Sequence, residues 1–217
     1  MATIRASVAE TIVRATRSSL VLVFAVGLRR RNPGAVVNAV VALVGSFLPD
    51  LIERRYGIEF RPWQRVYAVT AMLTHAVGML GPYDDVGWWD HLTHVHSATL
   101  LGGLAHAVAR RRNRDPRVAV LGTVTVAGVL WELLEYAIHM TARRFGVEPI
   151  LVAYGKRDTV LDLCFNFVGA VLALVFGDRF LRNFIRDTSS VFVFPGDLFS
   201  LLRCSIPLEL PLPRRRR

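Results

Sequence analysis

The sequence has almost no lysine: of its 27 basic residues all but Lys156 are arginine. Cysteine is nearly as scarce. Cys164 and Cys204 form neither a CxxC metal motif nor a disulfide framework. No glycine-rich nucleotide loop, nucleophile elbow or haem attachment string occurs. No motif of these kinds therefore narrows the activity. The two-residue alternation of a membrane barrel is also missing. A net charge of +10 raises nucleic acid as a partner. The arginines, however, flank apolar runs instead of lining one soluble face, which argues against it.

What is there is apolar sequence in long runs. The chain of 217 residues is 53% hydrophobic, and runs of about 18–22 apolar residues read as membrane-spanning helices. The expected fold is all-α, a polytopic transmembrane helical bundle in one domain, residues 1–187. Spans are predicted near 11–28, 35–51, 64–80, 88–108, 118–140 and 159–180. A signal peptide is the competing reading of the first run, but Arg29-Arg30-Arg31 follows it directly. Twenty of the 27 basic residues fall on the side that also holds both termini, so the positive-inside rule predicts cytoplasmic termini in the cell membrane. The two cysteines then lie on opposite sides. Residues 188–217 read as an interfacial or disordered tail. Its Arg214–Arg217 run is a candidate anchor to anionic lipid beside the bilayer itself.

Ionisable groups at membrane depth are rare and default to a functional reading. Three stretches carry them. In the first, Trp88–His96, the spacing puts Asp90, His91 and His94 on one helical face, while His96 points elsewhere. The second is Trp131-Glu132-Leu133-Leu134-Glu135. The third places Asp158, Asp162 and Asn166 four apart. Converted to depth at 1.5 Å per residue, His94, Glu132, Glu135, Asp162 and His75 all fall roughly 5–12 Å below the same membrane face. Groups from four predicted helices in one band predict one site. The site is expected to be a divalent metal centre of Zn, Mn or Fe. Its candidate ligands are Asp90, His91, His94, Glu135, Asp158, Asp162, His75 and Asn166. Glu132 and Glu135 are the candidate catalytic acid–base groups.

Each has a plainer reading. The histidines can be hydrogen-bonded partners of the acids, Glu132 and Glu135 a polar lock between helices, and Asp158 a helix N-cap. His96, His106 and His139 are expected to face solvent or headgroups, and Trp88 and Trp89 to sit in an interface belt. Ala98 and Gly102, and Gly169 and Ala173, are small residues four apart, a pattern that marks close helix contacts.

The strings Trp89-Asp90-His91-Leu92-Thr93-His94, Trp131-Glu132-Leu133-Leu134-Glu135 and Asp158–Ala170 together resemble the YjdF-like integral membrane proteins. The resemblance runs over roughly residues 18–185. It implies a polytopic cytoplasmic-membrane protein and no particular activity. A weaker likeness, to membrane-bound metal-dependent hydrolases, rests on Thr93-His94-Val95-His96-Ser97, where an extra Val-His interrupts their T-H-S string.

The function expected from these residues is a membrane metalloenzyme hydrolysing a lipid or phosphoester. A di-iron oxidase fits less well because Glu-x-x-His pairs are lacking. An ion or metal transporter is the second expectation. It requires polar groups continuing to the opposite face, where the sequence offers little beyond His106, Thr123 and Thr125. A non-catalytic protein with a structural polar network is the third.

Overall fold

The computed structural model describes residues 2–56 and 59–186. The tail read as a lipid anchor, and Cys204 with it, lies outside them. Among the described residues all regular structure is helical. The chain runs through α1 (Ala2–Arg29), α2 (Pro33–Gly45), α3 (Leu48–Tyr56), α4 (Pro62–Gly78), the single turn α5 (Pro82–Asp85), α6 (Trp89–Arg111), α7 (Pro116–Phe145), α8 (Lys156–Phe180) and the short α9 (Arg182–Arg186).

Four stretches are long and apolar enough to cross a membrane: Ala6–Arg29, Pro33–Arg55, Pro116–Phe145 and Lys156–Phe180. The fold is an all-α membrane bundle. Of the six expected spans, the third and fourth are the exceptions to that criterion. The third is α4, only 17 residues long. The fourth is α6, whose His and Asp side chains lower its hydropathy although it is 23 residues long.

Local chemistry sets the helix ends. Asn32 caps α2 by accepting from the Ala35 amide at 2.8 Å, with Pro33 in the first turn. Asp115 and Pro116 start α7 the same way, and Gly146 ends it in the left-handed conformation at φ 65°. The second expected span, 35–51, is broken: α2 stops at Gly45 and α3 continues from Leu48 to Tyr56. Pro49 explains the break, since it has no N–H to offer the Gly45 carbonyl four residues back.

The bundle has two halves. Leu20, Val23, Ala39, Ala42 and Ala76 form the core of α1, α2 and α4. Ala98, Val120, Val124, Ala170 and Ala173 form the core of α6, α7 and α8. At one end of the bundle Arg30 and Asn32 donate to the carbonyls of Leu80 and Met79 at 2.9 Å each. Tyr154 there donates to Asp84 at 2.7 Å. We call this the site end. At the other end Gln64 donates to the Phe180 carbonyl at 2.7 Å. There too Arg17 binds Asp50 at 2.5 Å, while its guanidinium lies 4.0 Å over the Phe47 ring. Arg65 pairs with the same Asp50 and with Glu53.

The helices α6 and α8 pack closely along their seam. A Cβ on Gly169 would stand 2.6 Å from Ala98 Cβ and 2.7 Å from the Val95 carbonyl oxygen, and one on Gly102 would stand 3.0 Å from Ala173. The small-residue pattern in the sequence therefore marks a real contact. It brings the two backbones close enough for polar side chains one turn away to meet.

Candidate functional site

One turn toward the site end from that seam, α6 presents His91 and His94, and α8 presents Asp162 and Asn166. Asp90, His94 and Asp162 each bring a ligand atom to within 4.8 Å of the others. His94 Nε2 lies 3.5 Å from Asp90 Oδ1 and 3.7 Å from Asp162 Oδ1. His91 Nδ1 lies 3.6 Å from the same Asp162 oxygen, its ring stacked on Phe165 at 4.3 Å.

Asp162 is 1% exposed. Neither of its carboxylate oxygens has a hydrogen-bond partner. A buried acceptor in that state is costly, and a buried charge more so.

The orientation of His94 follows from its neighbours. Asn166 turns its amide nitrogen toward Gly128 of α7 and its Oδ1 toward His94. His94 Nδ1 lies 3.3 Å from that oxygen and donates to it. The proton is thereby fixed on Nδ1, and the Nε2 lone pair points at Asp90 and Asp162. Asn166 thus acts on His94 and is a positioning residue.

His75, another expected ligand, has a hydrogen-bond partner at each ring nitrogen. Asn38 spends its amide N–H groups on the carbonyls of Gly34 at 2.9 Å and Ile150 at 3.3 Å. Its Oδ1 therefore accepts from His75 Nε2 at 3.0 Å. The Tyr83 hydroxyl donates to His75 Nδ1 at 2.6 Å. With both ring nitrogens engaged, no lone pair is left for a metal. Burial first, and the Asp90 and Glu135 carboxylates nearby, push the Tyr83 phenol well above its ordinary pKa, so it stays a donor. The same hydroxyl lies 3.3 Å from Thr93 Oγ1, and Thr93 donates to the Asp90 carbonyl at 2.7 Å. One polar chain therefore runs from α2 through α4 and α5 to the cluster on α6 and α8.

The remaining candidates divide. Glu135 lines a cavity of about 710 Å³ between the two halves, together with Asp90, His94 and Asn166. Glu132 approaches Thr159 of α8 instead, and its Oε1 is buried without a partner. Asp158 is not the N-cap of α8, a place taken by Gly155. It sits in the first helical turn, where an acid is favoured by the helix dipole.

Other expectations change as well. His106 is 1% exposed instead of solvent-facing: its Nε2 meets Asp178 at 2.9 Å, and Arg110 clamps the same carboxylate at 2.8 and 2.6 Å. His96 does turn from the cluster, as its spacing predicts, but into Tyr67 at 5.5 Å. His139 accepts from the Ala153 amide at 3.4 Å. Trp89 donates its indole N–H to the Thr74 carbonyl at 3.1 Å.

Sequence reasoning missed Asn38, Tyr83 and Thr93, which show no periodic polar signal. It also missed the roof of the cavity. The loop 146–155 covers the site end, held by Asn38 to Ile150, by His139 to Ala153 and by Tyr154 to Asp84. Burial and the Asp84 contact raise the Tyr154 phenol pKa, so that tether also stays protonated.

A family model described as "Predicted membrane protein (DUF2238)" matches residues 12–183, most of the chain. The chain belongs to that family, in agreement with the resemblance drawn from its three polar strings. No curated protein and no solved structure matches it.

Proposed function

We propose that this member of a predicted membrane protein family is a membrane-embedded metalloenzyme of hydrolytic type, with one divalent cation held by Asp90, His94 and Asp162 and with His91 in reach. The observation that carries the reading is the fully buried Asp162, with both oxygens unpartnered, facing the lone pair of a histidine whose proton is engaged elsewhere. Three acceptors directed at one point call for a positive charge between them. Their spacings of 3.5 and 3.7 Å are too long for hydrogen bonds. They are near the roughly 3.3 Å that separates ligands around a tetrahedral ion with bonds of about 2.0 Å.

A cation there would polarise a phosphoester or carbonyl oxygen and lower the pKa of water. The protein supplies the rest. Asn166 fixes the His94 tautomer. Glu135, on the cavity wall, would take a proton from the attacking water and is the acid–base residue of this reading. Glu132, turned toward Thr159, is given a supporting role. The six-span path with both termini on the arginine-rich cytoplasmic side is part of the same proposal. It puts the site toward the outer face.

The test is elemental analysis of protein purified without a polyhistidine tag. Wild type is expected to carry Zn, Mn or Fe. His94→Ala and Asp162→Asn are expected to lose it, and Glu135→Gln to keep it while losing phosphodiesterase or esterase activity. Absence of metal in wild type after incubation with each ion would overturn the reading.

A further inference from the structure

The cavity beside the cluster is roofed but not walled. Three tethers hold the loop 146–155 over its site end. Lower down, α2 contributes Val41 and Ala42 to its lining and α7 contributes Val124 and Ala127. Yet α2 packs on α1 and α4, and α7 on α6 and α8, and the two form no extensive contact with each other. Val41 is 62% exposed and Val126, next to Ala127, is 60% exposed. On the apolar flank of a membrane bundle those side chains meet acyl chains. Water, by contrast, has the tethered roof above it. The lining is graded to match. Met72, Leu101 and Val124 lie deep, while Arg30, Asn32 and Trp131 lie with the cluster and the roof. Arg30, steadied by the Leu80 carbonyl at 2.9 Å, adds a fixed positive charge at the polar end.

We infer that a membrane phospholipid enters this cavity sideways, between α2 and α7, with its acyl chain against Val41, Leu101 and Val124 and its phosphate between Arg30 and the Asp90–His94–Asp162 cluster. The inference rests on the proposed metal site for the partner of the phosphate, and on the cavity alone for the route. It names the substrate as an amphiphile already dissolved in the bilayer. A small water-soluble ester would need the roof to open. A volume of about 710 Å³ suits a headgroup with part of one chain.

The experiment uses the full chain in nanodiscs of phosphatidylethanolamine doped with phosphatidylglycerol that bears a diazirine on its acyl chain. After irradiation, label is mapped by peptide mass spectrometry, and metal content is measured on the same preparations. Label is expected on Leu101 and Val124 inside the cavity as well as on outward-facing Val175. In Ala127→Trp and, separately, in Val41→Trp, the interior label is expected to fall about tenfold, as a barrier of 1.4 kcal/mol would give. Label at Val175 and metal content are expected to stay unchanged. Val41 is exposed and Ala127 half-buried, so either variant can fold if the other does not. Interior label absent from wild type, or equal in wild type and both variants, overturns the lateral route. Interior label present without metal supports the route while removing the metal reading, so the two failures are told apart.

Discussion

Replacing Asp162 by Asn separates a cation site from a plain polar lock, because the two make stability change in opposite directions. The substitution keeps the shape and removes the charge. In the absence of a cation, Asp162 is a carboxylate 1% exposed with no hydrogen bond to either oxygen. Its nearest nitrogens are 3.6 and 3.7 Å away. Each unsatisfied acceptor costs about 1–3 kcal/mol, and an isolated buried ion several. Relieving the charge in chelator should therefore stabilise the protein by about 2 kcal/mol. For a chain of this size that is roughly 4–8 °C in Tm. With a cation present at about a hundredfold over its Kd, wild type gains about 2.7 kcal/mol by linkage, and the variant gains nothing.

The order of the two proteins should consequently cross: variant above wild type in EDTA, wild type above variant in Zn²⁺ or Mn²⁺. Thermal unfolding in detergent, followed by tryptophan emission, reads both arms. If Asp162→Asn is less stable than wild type in chelator and no ion shifts wild type, the carboxylate has partners that the geometry does not show. The argument from its unpaired oxygens then fails.

Asn166→Ala should weaken metal binding by about 10–100-fold, because it frees the His94 tautomer without removing a ligand, and competition with a chelating dye measures it. Glu135→Gln should lower the hydrolytic rate constant by about 10²–10⁴ with metal content unchanged; an equal loss in Glu132→Gln would shift the acid–base role. Gly169→Ala should destabilise by about 1–3 kcal/mol, since its Cβ would stand 2.7 Å from the Val95 carbonyl oxygen and backbone cannot rotate away; a thermal melt equal to wild type would show that the α6–α8 seam is looser than described. Tyr83→Phe should leave metal content unchanged, because Tyr83 bonds His75 and no member of the cluster, and loss of metal in that variant would make the His75 chain part of the centre.

The sequence made the second half of the bundle more legible than the first. On α6 and α8 every relevant signal is local. Asp90 and His94 sit four apart on one face, Asp162 and Asn166 do the same, and each pair lies about one helical turn from a small residue that lets the helices close. Helical periodicity alone therefore predicts their meeting. Asn38 and His75 carry no such signal. Their roles are set by where the Gly34 and Ile150 carbonyls fall, and Ile150 lies 112 residues from Asn38 along the chain. A histidine ligand and a histidine with both nitrogens engaged look alike until those distant acceptors are in place, which is why His75 reads as a ligand in the sequence and as a hydrogen-bonded link in the fold. His106 fails for a related reason. Its depth near the end of α6 suggests headgroups, but Asp178 on the neighbouring helix meets it at 2.9 Å, and Gly177, where a Cβ would stand 2.7 Å from the ring, makes room for it. Depth along a helix groups these residues in one band. Which of them could share a cation depends on the acceptors that claim each ring nitrogen first.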